Sequence, residues 1–159
     1  VEVMENASDT LPNGLEQLVG PAYVEFYGLQ NFERSMLALK TLTRYCSSEF
    51  AIRPFIKKCP RESMQLMQSW TNSKCEHIRR LASEGCRPRL PWGGNLNMFI
   101  EDPSPVLEIL EVLKADDSLY VRKSVANNLN DISKDHPNKV LLICEKWLKY
   151  FCFIDCTHS

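Results

Sequence analysis

The chain has 159 residues, 44% of them hydrophobic and 25% charged, with a formal net charge of −1. That length suits one domain with a real core, and the composition is that of an ordinary globular chain. No apolar run approaches the ~18–20 residues of a membrane helix and no secretory signal pattern is visible, so no membrane partner is expected. The seven cysteines include no C-x-x-C pair. An odd set without paired spacing argues against a disulfide framework or a zinc ribbon, and the expectation is reduced thiols with no metal and no cofactor.

Along the chain, residues 1–20 are polar and mixed and are punctuated by Pro12, Asn13 and Gly14. They are expected to form a loose tail. The first helical spacing is Phe32, Met36, Leu39 and Leu42, and the next is Met64, Leu66, Met67 and Trp70 after the break at Pro60. The near-continuous apolar set Val106, Leu107, Ile109, Leu110, Val112 and Leu113 predicts a buried helix. Farther on, Val121, Val125, Leu129 and Ile132 form an apolar stripe, with Ser124, Asn127 and Asp131 on another face of the same helix. No segment shows sustained strand alternation. The fold class is therefore all-α.

Charge is unevenly spread. Lys74 to Trp92 carries a balance of +3, and Glu101 to Asp117 one of −5. A phosphate-binding face with an acidic back has this look, and so do ordinary solvated helix faces.

Two stretches resemble each other, Asn72–Gly85 and Asp116–Leu129. Laying Ile78-Arg79-Arg80 on Val121-Arg122-Lys123 gives an offset of 43 residues, within the period of HEAT-type helical hairpins. A weaker copy begins at Glu49-Phe-Ala-Ile-Arg53. In each, an aliphatic residue can pack on the preceding helix while the arginine snorkels along the stack or reaches solvent. Small residues such as Ala82 and Ala126 are expected to let helices approach closely. The expected architecture is a HEAT-like solenoid, a curved, right-handed stack of helical hairpins over 21–148, followed by a divergent tail over 149–159.

Four motifs, in order, carry a family resemblance: Ser48-Glu-Phe-Ala-Ile-Arg-Pro-Phe55, Arg79-Arg-Leu-Ala-Ser-Glu-Gly85, Arg87-Pro-Arg-Leu-Pro-Trp92, and the run from Tyr120 to Pro137. Together they resemble the AlkC family of alkylpurine DNA glycosylases from about Tyr23 to Leu148. Asn128 stands where the family often has histidine. Members of the family carry further helices before and after the matching region. The non-methionine start at Val1 and the unfamiliar ending Lys149–Ser159 therefore read as a truncated or partial sequence.

The resemblance implies hydrolysis of the N-glycosidic bond of cationic alkylated bases such as 3-methyladenine in double-stranded DNA, without base flipping. It also implies a bacterial cytoplasmic setting and a monomer. A cationic purine is already a good leaving group, so the chemistry needs fixed negative charge beside an oxocarbenium-like sugar and an oriented water. By the same resemblance Glu49, Glu84 and Asp131 are the carboxylates and Trp92 is the aromatic lesion contact. Arg79, Arg80, Arg87, Arg89, Arg122 and Lys123 are the candidate phosphate contacts.

Plainer roles exist for the same residues. Glu49 could favour a helix start, Glu84 could pair with Arg80 one turn away, Trp92 could anchor a Pro-rich loop, and Asp131 could serve local hydrogen bonds. His77 aligns with Tyr120 and reads as a packing position. His136 before Pro137 reads as a helix-ending turn. Cys152, Cys156 and His158 have loosely ligand-like spacing without a fourth ligand. The alternative function is a non-catalytic HEAT-repeat module that binds DNA or protein.

Overall fold

The computed structural model describes Asn6, Thr10 and residues 14–157, with side chains described as far as Lys149. Among the described residues every regular element is helical. Asn6 and Thr10 have helical backbone, and a 3-10 turn over Leu15–Leu18, also inside the stretch expected as a tail, leads into α1 (Val19–Tyr27). There follow α2 (Phe32–Leu42), α3 (Arg53–Lys58), α4 (Pro60–Trp70), α5 (Glu76–Glu84), α6 (Asn97–Glu101), α7 (Ser104–Leu113), α8 (Leu119–Ser133) and α9 (Pro137–Thr157). The backbone of α9 runs through most of the stretch read as a divergent tail. The Cys152 and Cys156 side chains and His158 lie outside the described residues, as do the other residues of the first thirteen.

The starts of these helices follow from local chemistry. Asn31 caps α2 by accepting the Arg34 amide at 3.3 Å, and proline occupies the first turn of α3, α4 and α7, where its missing N–H costs nothing. At α2 the residues at helical spacing, Met36, Leu39 and Leu42, are buried. At α4 they are Met64, Met67 and Trp70. Each such large side chain contributes roughly 1.5–3 kcal/mol relative to exposure. The α7 helix is less enclosed than its sequence predicts. Val106, Ile109, Leu110 and Leu113 are buried, but Val112 is exposed, so one face meets water.

Packing repeats as the sequence does. Helices α4 and α5 form one packed pair and α7 and α8 another; α4 lies against α7 and α5 against α8. Hairpin thus stacks on hairpin, and α5 and α8 begin one repeat offset apart, at Glu76 and Leu119. Beyond these pairs α2 touches α5, and α9 packs on α8. The architecture is a helical-repeat fold. One expected contact is corrected. Ala82 is buried, but Ala126 is exposed, and the close approach of α5 to α8 runs through Ser83 and Ser124, whose Oγ atoms share a 2.9 Å hydrogen bond. Among the described residues no helix is long and apolar enough to cross a membrane.

Candidate active site

The seam between α5 and α8 holds most of the buried charge. Ser124 and Asp131 lie two turns apart on α8, on the face turned toward the end of α5, and both are buried. Glu84 is the last residue of α5. Its Oε1 accepts from Arg87 Nη1 at 2.6 Å, and its Oε2 accepts from the Ser124 hydroxyl at 2.6 Å. Arg87 turns its Nε to Asp131 Oδ2 at 2.8 Å. On the other side Arg80 Nη2 sits 3.7 Å from Glu84, while its Nη1 donates to Glu49 Oε2 at 2.7 Å and to Ser47 Oγ at 2.9 Å. The result is a ladder of alternating sign, Glu49–Arg80–Glu84–Arg87–Asp131.

The rungs differ in accessibility. The side chains of Glu84 and Asp131 are 5% and 2% exposed, against 15% for Glu49. Burial alone would lower the pKa of Arg87, but the hydrogen bonds it donates to Asp131 and Glu84 hold it above its ordinary value. At the Asp131 end Lys134 reaches in from solvent to 3.2 Å. At the other end the Arg80 guanidinium lies 4.8 Å from the centre of the Tyr120 ring, a cation–π contact. His77 meets the same ring edge-on at 5.7 Å, the packing role that its alignment with Tyr120 predicted.

The offset of 43 residues aligns Glu84 with Asn127 as equivalent repeat positions. Asn127 is exposed, and the residue inserted into the seam is Asn128, whose Nδ2 donates to the Ser83 carbonyl at 2.8 Å. The terminal carbonyls of α5 are all taken. Leu81 accepts the Gly85 amide, Ala82 and Ser83 accept the buried Cys86 thiol, and Glu84 accepts the Arg87 amide. Gly85 is needed for proximity, since a Cβ there would come within 2.7 Å of Ile52 Cγ2.

Beyond Gly85 the chain turns through Arg87-Pro-Arg-Leu-Pro-Trp92-Gly-Gly94. Trp92 has φ 58°, the left-handed region, and its side chain is 99% exposed. No packing explains that conformation. Holding a bulky residue there costs on the order of 1–3 kcal/mol. Beside it a small cleft of about 220 Å³ is bordered by Glu25, Phe50, Lys57, Gly94 and Arg53. Arg53 is the site residue that the sequence pattern missed. The repeat pattern has it snorkelling along the stack or reaching solvent, whereas it is buried. The available signal was its setting, an arginine flanked by Ala51, Ile52, Pro54 and Phe55.

The basic residues take separate partners. Arg79 grips Asp116 through two bonds of 2.7 and 2.9 Å, and Arg122 donates to the carbonyls of Asp116 and Asp117, both at the start of α8. Arg79 thereby joins the basic segment to the acidic one. Arg89 pairs with Asp135 through two bonds of 2.8 Å near the end of α8. Arg87 lies inside the ladder and Lys123 is exposed. Glu49, read as a possible helix start, stands in the turn ahead of α3 and accepts Ser47 Oγ at 2.8 Å. His136 closes the α8–α9 turn with its Nε2 2.7 Å from the Ile100 carbonyl. Among the described residues no group of His, Cys, Asp and Glu could hold a metal ion.

No protein-family model matches the chain. It is 51% identical over 149 residues to an uncharacterized Bacillus subtilis protein, YhaZ, a match that covers 92% of this chain and 42% of that protein. A solved structure of Pseudomonas fluorescens alkylpurine DNA glycosylase AlkC, bound to DNA containing an abasic site analog, is 53% identical to it with a TM-score of 0.80. That match covers 82% of this chain and 37% of the glycosylase. The chain spans about two fifths of the length of these relatives. Over that span, in sequence and in helical-repeat fold, it corresponds to a segment of an AlkC-type protein.

Proposed function

We propose that this chain forms the base-excision centre of a DNA repair glycosylase that hydrolyses the N-glycosidic bond of cationic alkylated bases, 3-methyladenine among them, without flipping the base out of the duplex. The observation that carries the reading is the charged ladder, in which three carboxylates expected to act together are joined by two arginines. As the bond to a cationic base breaks, positive charge moves into the sugar, and preorganised carboxylates stabilise it without reorganising. Glu49, the most accessible of the three, is the group best placed to meet a sugar or a water. Arg80 and Arg87 hold Glu84 and Asp131 rigid and keep their mutual repulsion small. Trp92, projecting from the loop that also carries Arg87, offers a π face to a cationic nucleotide, worth roughly 0.5–2 kcal/mol.

The second reading, a non-catalytic module that binds duplex DNA or protein, draws on one specific observation. Glu84 and Asp131 are nearly enclosed and hydrogen-bonded, as structural ion pairs would be. Incubating the protein with methylated duplex DNA and assaying free 3-methyladenine separates the two. Release of free base supports the enzyme; DNA binding without release supports the module.

A further inference from the structure

Trp92 is a large side chain with almost nothing packed on it, held at a backbone angle that large residues avoid. Something else must hold its loop, and Arg53 is the residue that reaches it. The Arg53 Nη1 donates to the carbonyls of Gly85 and Arg87, at 3.1 and 2.9 Å. Its Nε and Nη2 both donate to the Gly94 carbonyl, at 3.0 and 2.5 Å. One guanidinium therefore ties the two ends of the loop together from beneath. Two further bonds, from Gly93 to the Leu90 carbonyl and from Leu96 to the Pro88 carbonyl, close the loop on itself.

The position is costly for a cation. Arg53 is 3% exposed and stands in no ion pair among the described residues, its partners being neutral carbonyls. Burial draws its pKa down to about 10, with Arg87 nearby pushing the same way against the raising influence of Cys86, Asp131 and Glu49. A planar fork of donors fits three carbonyls at once, which an ammonium on a flexible stem cannot do. Stability alone gives no reason to bury an unpaired charge here, because an apolar side chain would pack at lower cost.

We infer that Arg53 is a positioning residue, which acts through the Gly85–Gly94 backbone to hold Trp92 in the strained, outward presentation that lesion contact needs. The inference rests on the base-excision reading for its functional half, but its structural half can be tested without catalysis. The variants are Arg53→Lys, which keeps the charge but not the fork, and Arg53→Met, which removes the charge. Trp70 and Trp147 are buried, so subtracting the emission of the matching Trp92→Phe proteins isolates the Trp92 signal.

At unchanged helical content, both Arg53 variants are expected to free Trp92, seen as faster depolarisation of its fluorescence. Release of 3-methyladenine should fall at least tenfold for Arg53→Lys, with affinity for the methylated duplex changed less than threefold. In a Trp92→Ala background the same change should cost less than twofold, because the residue through which Arg53 acts is already gone. Unchanged Trp92 depolarisation in the lysine variant, or an equal loss of release with and without Trp92, overturns the inference. If Arg53→Met does not fold, the lysine variant decides. If the wild-type protein releases no base at all, the excision reading fails, and the depolarisation result alone judges the clamp.

Discussion

Along the ladder that runs from the turn ahead of α3 into the α5–α8 seam, three carboxylates and two arginines are largely shut away from water, each held by a partner of opposite sign. In the loop that leaves α5, Trp92 stands 99% exposed with φ 58°, and its position is held through the backbone of its loop and not through bonds of its own side chain. The seam conceals what water would solvate well, and the loop displays what water solvates badly. In the seam, structure and proposed function point the same way, since the bonds that align the carboxylates also hold two helices together. In the loop they are opposed, since relaxing Trp92 would ease the backbone. A site assembled from both halves is rigid beneath and strained above.

The largest effect is expected at Arg87, which bridges Glu84 and Asp131. Replacing it with methionine leaves two buried carboxylates facing each other without their shared cation. Breaking a buried pair this way costs roughly 3–5 kcal/mol, read as a lowered urea midpoint, and base release should be lost with it. An unchanged midpoint would mean that the ladder is no part of the core. Arg87, expected as a phosphate contact, is enclosed between two acids that accept from its Nε and Nη1.

The opposite sign is expected at Trp92. Substituting glycine removes the Cβ that penalises the left-handed region, so stability should hold or rise by up to about 1 kcal/mol. Base release should nevertheless fall at least tenfold. A marked loss of stability would show that Trp92 packs against something after all, and would remove the contrast with the seam.

The smallest effect belongs to a third cluster of mixed charge, at the α7–α9 contact. There Glu111 accepts Lys114 at 2.5 Å, Lys146 at 3.2 Å and the Trp147 indole N–H at 2.6 Å. Burial would raise its pKa, but those three donors bring it down to about 2. A depressed acid contributes its stability above its ordinary value near 4.5 and loses it as pH falls from there toward about 2. Trp147 emission should therefore shift as α9 loosens over that range. The Glu111→Gln variant should remove the shift at a cost below about 1 kcal/mol, because the carboxylate is 39% exposed. A loss as large as that at Arg87 would mean that burial does not separate the two clusters.

What could be read from the sequence, and what could not, divides along the same line. The cores of α2, α4 and α8 follow from helical spacing, because burial on one face writes a period into neighbouring residues. The short α3 and α6 have too few turns to show one. Glu84 was visibly near Arg80 at one helical turn, yet its tighter partner Arg87 lies past the end of the helix. Asp131, the next rung, is 44 positions farther on. Such partnerships exist only once one hairpin is stacked on another. Arg53 was hidden differently. Its carbonyl partners are backbone groups, which are the same for every residue type and leave no trace in composition. Glu49, Glu84, Trp92 and Asp131 are proposed as site residues on the family motifs alone; spacing gives each an ordinary structural role.

The central question is whether the ladder does chemistry. The most direct test compares release of free 3-methyladenine from methylated duplex DNA by the wild-type protein and by Glu84→Gln. Glutamine keeps the shape and the acceptor toward Ser124 while removing the negative charge between Arg80 and Arg87. The account predicts base release by the wild type and a fall of at least about tenfold in the variant, each tenfold being ~1.4 kcal/mol of barrier. Affinity for undamaged DNA should be unchanged or slightly improved, since one repulsion toward phosphate is gone. Normal release by a folded Glu84→Gln protein with weakened DNA binding would contradict it, and would make the ladder a structural element of a DNA-binding surface.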